Sequence, residues 1–310
     1  MPDILCMGEP MLELNRQPSG PDGRVLYLEG HGGDTSNAAI AAARNGASAG
    51  YITAIGQDGP GSSLMALWAR EGVDSSTVLR DPDAPTGLYL VTHDERGHHP
   101  TFYRRGSAAS RLRPRDVPED AIRAARVLHA SGISQAISDS ACDAVFHAIA
   151  VAKGAGVAVS YDTNLRPALW PAARAAAVIH AAIARADLAF PSLEDARALT
   201  GLEAPEAIAT FYLRLGCPVV LVKCGAEGAL VATPSRRERI APHRVAAVDA
   251  IGAGDAFAGA FLARHVAGDD PFAAARYANA AAALTTTGYG AVAPIPRPAA
   301  VEALLRAAPP

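Results

Sequence analysis

The sequence predicts an α/β fold, in which a mostly parallel central sheet is flanked by helices on both faces and carries a small β-sheet lid. Three observations carry this. Short aliphatic runs alternate with Ala-rich stretches of helical length, the pattern of βαβ units. Two segments, about 11–31 and 86–106, break the alternation and read as strand pairs with no helix between them. Two glycine turns, at 32–33 and 252–254, each feed directly into a helix.

In chain order, residues 1–6 have no basic region before their apolar run, so they read as a first strand and not as a signal peptide. Residues 11–14 and 25–28 form an expected hairpin around the turn-rich stretch 18–23. A helix follows from Gly32-Gly33 to Arg44. Residues 88–91 and 101–104 flank a second turn at 94–99, with His98-His99 near its tip. Both hairpins stand off the main body, and the second carries Tyr and Arg with little bulk for a core, so a lid over a cleft is favoured over surface decoration. Strands are then expected at 127–131, 157–162, 188–191 and 219–223, and helices at 140–153, 172–184 and 205–215. Pro205 near a helix start and Gly216 past its end fit that assignment. The last glycine turn leads a helix to about His265. No repeat, linker or low-complexity tract divides residues 1–310, so one domain is expected.

Composition narrows the function. Half of the 310 residues are hydrophobic but only 5% are aromatic, so the apolar content is largely Ala and other aliphatics. Mean hydropathy is +0.11, yet no run of about 18 uncharged apolar residues occurs, which excludes a membrane helix. The 28 basic and 31 acidic residues give a net charge of −3, which argues against a basic nucleic-acid face. Lys153 and Lys223 are the only lysines, and Lys153 reads as surface. Cys6, Cys142, Cys217 and Cys224 show no C-x-x-C spacing and read as buried thiols of a cytoplasmic protein. There is no G-x-x-x-x-G-K-[ST] loop or H-E-x-x-H, and the histidines show no metal-ligand spacing beyond the adjacent His98-His99.

Two stretches carry chemistry. In Asp249-Ala250-Ile251-Gly252-Ala253-Gly254-Asp255, a glycine turn opens a helix whose unpaired N–H groups and dipole favour an anion. Local physics leaves Asp255 open between a helix-start cap and a base that takes a proton from an attacking hydroxyl. In Gly32-Gly33-Asp34-Thr35-Ser36-Asn37, the small residues let backbone approach a ligand, and Asp34 and Asn37 can orient hydroxyls. A plain turn with Asp34 or Thr35 as cap is the alternative. The third glycine of a dinucleotide fingerprint is missing, which disfavours an oxidoreductase.

Together these stretches resemble the two signatures of the ribokinase-like (PfkB-type) sugar kinases, nearly end to end and in order. The first signature continues through residues 54–61; the second covers D-x-x-G-A-G-D-x-F-x-G at 249–259. The resemblance implies a parallel sheet with a β lid, ATP and Mg2+ as cofactors, and K+ in some members. It implies that Asp255 is the catalytic base and that Gly252, Ala253 and Gly254 form the anion hole. Lys223, Gly225 and Gly228 match a K-x-G-x-x-G nucleotide turn, and Asn279 a position beside the adenine. The family's N-x-x-E segment falls on Ser192 and Asp195, with Asp195 toward Mg2+ through water. Asp249 and Ile251 match a monovalent-cation loop.

Three further details resemble 2-keto-3-deoxygluconate kinases: Gly32–Asn37, the lid residues Tyr89 and Phe102-Tyr103-Arg104-Arg105, and Asp162-Thr163-Asn164-Leu165-Arg166. Tyr89, Arg104 and Arg166 match substrate contacts, while Phe102 stands where a Tyr is expected. Arginine forks suit the carboxylate of a sugar acid. The implied substrates are therefore ATP and 2-keto-3-deoxygluconate, bound by Gly32, Gly33, Asp34, Asn37, Tyr89, Phe102, Tyr103, Arg104, Arg105 and Arg166. Phe102, Tyr103, Tyr89 and Trp170, scarce aromatics, all fall near that expected site. The alternatives are a fructokinase, a ribokinase, a 5-keto-2-deoxygluconate kinase, or a catalytically silent sugar- or nucleotide-binding protein. No nucleic-acid or membrane partner is expected, and exposed lid strands suggest a homo-oligomer.

Overall fold

The computed structural model describes residues 1–20, 22–94 and 97–307, apart from the side chain of His98. Parts of both expected lid turns, Pro21 and Glu95–Arg96, thus lie outside the described residues, as does half of the His98-His99 pair. The strands are β1 Ile4–Met7, β2 Met11–Arg16, β3 Tyr27–Gly32, β4 Ala49–Ile52, β5 Ala54–Gly56, β6 Leu79–Asp81, β7 Leu88–Asp94, β8 Gly97–Tyr103, β9 Val127–Ser131, β10 Ala158–Asp162, β11 Leu188–Phe190, β12 Val219–Lys223, β13 Ala229–Ala232 and β14 Arg237–Ile240. The helices are α1 Asp34–Arg44, α2 Gly59–Glu71, α3 Glu119–Ala124, α4 Gly132–Ala136, α5 Asp139–Gly154, α6 Ala172–Ile183, α7 Leu193–Thr200, α8 Pro205–Arg214, α9 Ala253–Val266, α10 Pro271–Thr285 and α11 Pro298–Ala307.

Eight strands form the main sheet, in the order β14-β13-β12-β11-β10-β9-β1-β4. Pairing is parallel from β12 to β4 and antiparallel at the β12–β13–β14 edge. The continuous aliphatic runs explain this, because β1, β4 and β9 are buried at every residue and so need cover on both faces. One face packs Val145, Ile149, Ile179, Ile183 and Tyr212 from α5, α6 and α8. The other packs Ile40, Phe257, Phe261 and Phe272 from α1, α9 and α10. There the alanines let α1 and α9 cross closely. A Cβ on Gly259 would lie 2.2 Å from the Ala38 carbonyl oxygen, so only glycine fits.

The lid is a separate sheet, β3-β2-β7-β8. Parallel pairing of β2 with β7 fuses the two hairpins into one surface. The first hairpin differs from expectation. Its second strand is Tyr27–Gly32 and not 25–28, because Met11 pairs with Gly32 and Arg16 with Tyr27. The apolar run Val25-Leu26 is exposed and precedes the strand. Asp58 ties the lid to the body: its carboxylate caps α2 at Gly61 N (2.8 Å) and accepts from both Thr86 N (2.8 Å) and Thr86 Oγ1 (2.7 Å). Among the described residues no helix is long and apolar enough to cross a membrane.

Candidate active site

Parallel sheets gather ligands at the carboxyl ends of their strands. Here a cavity of about 1580 Å³ opens between those ends, the lid, and the first turns of α1 and α9. Gly33 starts α1 with φ +113, where a Cβ would strike the Glu9 carbonyl oxygen at 2.5 Å. Neither Asp34 nor Thr35 caps that helix. Gly252 starts α9 with φ +77, pressed against Ala291. The Ala253 N–H donates to the Ala250 oxygen at 3.2 Å. The helix start therefore leaves the N–H groups of Gly254 and Asp255 open toward the cavity.

The two first turns touch. Asn37 Nδ2 donates to Asp255 Oδ2 at 2.8 Å. Asp34 accepts from Ser131 Oγ and from Asn164 Nδ2 (3.1 Å), and its other oxygen, like Asn37 Oδ1, is buried without a partner. Burial pushes the Asp34 carboxyl above its ordinary range. Burial, then the Asp34 charge, push Asp255 up to about 8. Asn164 holds its place with φ +31, a left-handed conformation that costs a non-glycine residue strain.

On the lid side, Gly32, Tyr89, Phe102 and Arg104 line the cavity. Tyr89 donates its hydroxyl to Glu13, which also accepts from Asn15 at 3.1 Å. Arg104 forms an ion pair with the fully buried Glu9, which also accepts from Ser107 Oγ at 2.8 Å. Tyr103 and Arg105, expected to touch substrate, are exposed and do not line the cavity. β8 ends at Tyr103: its pleat sets Tyr103 opposite to Phe102, whose ring lies 5.4 Å from that of Tyr89, and Arg105 lies in the turn that follows. Trp170 lies in the core instead of the cavity. The 54–61 stretch also stays outside, holding the lid base through Asp58.

On the other side of the cavity lie Ser192, Asp195, Lys223 and Gly225. Ser192 Oγ caps α7 by accepting from Asp195 N at 3.0 Å. Asp195 Oδ2 accepts from Thr163 Oγ1 (2.9 Å) and Leu165 N (3.1 Å). Lys223 donates to Asp162 at 2.5 Å. Gly228 does not line the cavity; its φ of +85 serves the β12–β13 turn, where a Cβ would meet the Ile240 oxygen at 2.1 Å. Asn279 is likewise outside, donating to the Ala241 oxygen at 2.8 Å. Asp249 accepts from Ile251 N and Gly290 N, both at 2.9 Å. Glu9 and Glu13 belong to the site although no short motif flagged them, and Asp162 and Asn164, part of the 162–166 stretch but without a role there, join them. For Glu9 and Asp162 the available signal was an acidic residue at the end of an aliphatic strand.

A model of the pfkB family carbohydrate kinases matches residues 1–298. The chain belongs to this family and is a carbohydrate kinase. Among its relatives, a 2-dehydro-3-deoxygluconokinase of Thermoproteus tenax is 38% identical, over 99% of this chain and 95% of that protein. A 2-dehydro-3-deoxygluconokinase of Bacillus subtilis (strain 168) is 36% identical, over 83% and 81%. A solved structure of a putative ribokinase II from E. coli, in complex with ATP and Mg2+, superposes with a TM-score of 0.90 at 26% identity, covering 99% of each chain. The PfkB kinase described here shares with it the main sheet, the surrounding helices and the lid.

Among the described residues no group of three or more His, Cys, Asp or Glu could hold a metal ion. Mg2+ needs no such cage in a kinase, because it keeps waters and takes one or two carboxylates plus substrate phosphates. Asp195, at the cavity wall, fits that requirement.

Proposed function

We propose that this PfkB kinase transfers the γ-phosphoryl group of ATP to the terminal hydroxyl of 2-keto-3-deoxygluconate, giving 2-keto-3-deoxy-6-phosphogluconate. One observation carries the reading: Arg104 and Arg166 line the same cavity as Asp34, Asn37 and Asp255. A sugar acid then meets guanidinium forks for its carboxylate and polar side chains for its hydroxyls.

Asp255 accepts the hydroxyl proton, and its raised pKa suits a base working near neutral pH. The Gly252-Ala253-Gly254 turn aims the N–H groups of Gly254 and Asp255 at the transferred phosphoryl group. Asp34, Asn37, Gly32, Gly33, Tyr89 and Phe102 surround the sugar, while Ser192, Lys223 and Gly225 face the nucleotide. Asp195 stands toward Mg2+ through water; when bound, that ion neutralises phosphate charge. Asp249, with the Ile251 segment, would flank K+. The lid closes over the sugar and excludes water, so that ATP is not wasted on hydrolysis. We read the whole chain as one kinase domain working in the cytoplasm. The exposed Tyr27, Leu28 and Tyr103 on the lid suit pairing with a second copy.

Glu13 beside Tyr89 supports a second reading, a fructokinase, because an extra carboxylate on the lid suits a neutral polyol. Initial rates with ADP-coupled detection on 2-keto-3-deoxygluconate, 5-keto-2-deoxygluconate, fructose and ribose separate the two. A kcat/KM highest on 2-keto-3-deoxygluconate is expected; fructose in first place would overturn the reading.

A further inference from the structure

We propose that Lys223 is a catalytic residue, whose ammonium, held in place by Asp162, stabilises the phosphoryl group as it passes from ATP to the sugar. The inference rests on the kinase reading above and adds a chemical step to a residue expected only to touch the nucleotide.

The sheet builds the arrangement. Asp162 ends β10 and Lys223 ends β12, with β11 between them. Lys223 N donates to the Pro191 oxygen at 2.8 Å, which fixes its backbone beside the end of β11. Its side chain then crosses that end to reach Asp162 Oδ2 at 2.5 Å. The two side chains are 14% and 4% exposed. A buried ion pair recovers little of its desolvation cost as stability, so its presence calls for another reason.

The place of the ammonium supplies one. A Cβ on Gly254 would lie only 3.3 Å from Lys223 Nζ. The charge thus sits against the first turn of α9, where the N–H groups of Gly254 and Asp255 open into the cavity. Helix dipole and ammonium converge on one point, and Asp255 leaves from the same turn. Lys223 also pulls the Asp255 pKa down against its burial. Among the described residues the ammonium donates to Asp162 alone, out of three N–H groups. In a chain whose other basic residues are nearly all arginine, a compact point charge stands where phosphate is to be met.

The sugar hydroxyl oxygen forms a bond to the γ-phosphorus, and the bond from that phosphorus to the bridging oxygen breaks. The electron pair of the broken bond leaves with ADP, and the hydroxyl proton goes to Asp255. Charge on the equatorial oxygens meets the Gly254 and Asp255 N–H groups and the two unused N–H groups of Lys223. Asp162 is a positioning residue. It fixes the ammonium and balances its charge before ATP arrives.

The test compares wild type with Lys223→Met, Lys223→Arg, Asp162→Asn and the double variant Lys223→Met/Asp162→Asn, which removes the buried pair together and guards against misfolding. Two readouts are needed: steady-state kinetics on the sugar that wild type uses best, and calorimetric binding of ADP with and without aluminium fluoride, a planar phosphoryl mimic. Lys223→Met and the double variant should lose about 10²–10³-fold in kcat, with the sugar KM changed less than about threefold. The tightening of ADP by aluminium fluoride should disappear in both, fall partway in Asp162→Asn, and survive in part in Lys223→Arg. A kcat for the double variant within about fivefold of wild type overturns the proposal. So does retained aluminium fluoride tightening with weakened ADP alone, since Lys223 would then only bind nucleotide. A wild type that prefers a neutral sugar sinks the substrate reading alone, and the aluminium fluoride comparison still decides Lys223.

Discussion

Asn37 donates to Asp255 across 2.8 Å, and this one hydrogen bond joins the first turns of the two glycine-led helices. It ties the proposed sugar contact Asn37 to the proposed base Asp255. The bond also favours the ionised carboxylate, which opposes the upward push of burial and of Asp34 on Asp255. The pair holds the base in position while leaving its other oxygen for a hydroxyl.

Asp255→Asn keeps the shape and the Asn37 contact but cannot take a proton. Turnover should fall about 10²–10⁴-fold, while sugar affinity measured by calorimetry stays near wild type. Stability should move the opposite way. With a folded-state pKa raised to about 8, the native protein holds a proton that the unfolded chain has released above about pH 4. Stability contributed by this group therefore declines as pH rises from about 4 to about 8. Thermal melts should show Asp255→Asn gaining Tm over wild type, with the gain growing across that window. Near-normal turnover would remove Asp255 from the base role.

The same group should shape the pH profile. Because the base must be ionised, kcat/KM should rise with pH through the Asp255 pKa. The Asp34 charge raises that pKa. Asp34→Asn should therefore move the acid limb to lower pH, whatever it does to the height of the profile through lost sugar contacts. A limb that stays put, or moves up, contradicts the electrostatic link between the two carboxylates.

The sheet alternation, the two glycine turns and the lid could all be read in the sequence, because each rests on a local period or a residue type with a narrow conformational use. What escaped was set by tertiary pairing. A motif names Tyr103 and Arg105 but is silent on where they fall: pairing of β8 with β7 sets Tyr103 opposite to Phe102, and Arg105 lies in the turn beyond the strand. The apolar Val25-Leu26 looked like strand because exposure on a lid cannot be told from burial in a core. Glu9 carries no motif and Asp162 sits in one that assigns it no role, because a single acidic residue at a strand end has no spacing that betrays its partner. Their partners, Arg104 and Lys223, arrive from 95 and 61 residues away in sequence.

Glu9 and Arg104 form an ion pair that links the end of β1 to the exit of the lid. Burial raises the Glu9 carboxyl, and Arg104, followed by Ser107, opposes that shift. Arg104→Met should strand the carboxylate and cost about 3–5 kcal/mol of stability. Glu9→Gln/Arg104→Met should recover most of that loss in denaturant melts, since no charge is left behind. Both variants should raise the KM for 2-keto-3-deoxygluconate more than that for a neutral analogue. Equal Tm losses in the single and double variants would mean that the pair itself does not hold the lid base.

Arg44 ends α1, the helix that begins with Asp34 and Asn37, yet it reaches the loop between α10 and α11. Its Nε and Nη2 meet both oxygens of Glu71 at 2.8 and 3.0 Å. Its Nη1 donates to the carbonyls of Val292 (2.8 Å) and Ile295 (2.7 Å). The same loop offers Gly290 to Asp249 and presses Ala291 against Gly252, so Arg44 fixes the loop behind the start of α9. A lysine keeps the charge but not the fork, and cannot serve Glu71 and the loop carbonyls together. Arg44→Lys should lower stability by about 1.5–3 kcal/mol, the worth of a charged hydrogen bond. It should also reduce kcat/KM for ATP several-fold while leaving sugar affinity nearly unchanged. Thermal melts and ATP titrations at saturating sugar check both, and an unchanged ATP profile would confine Arg44 to stability alone.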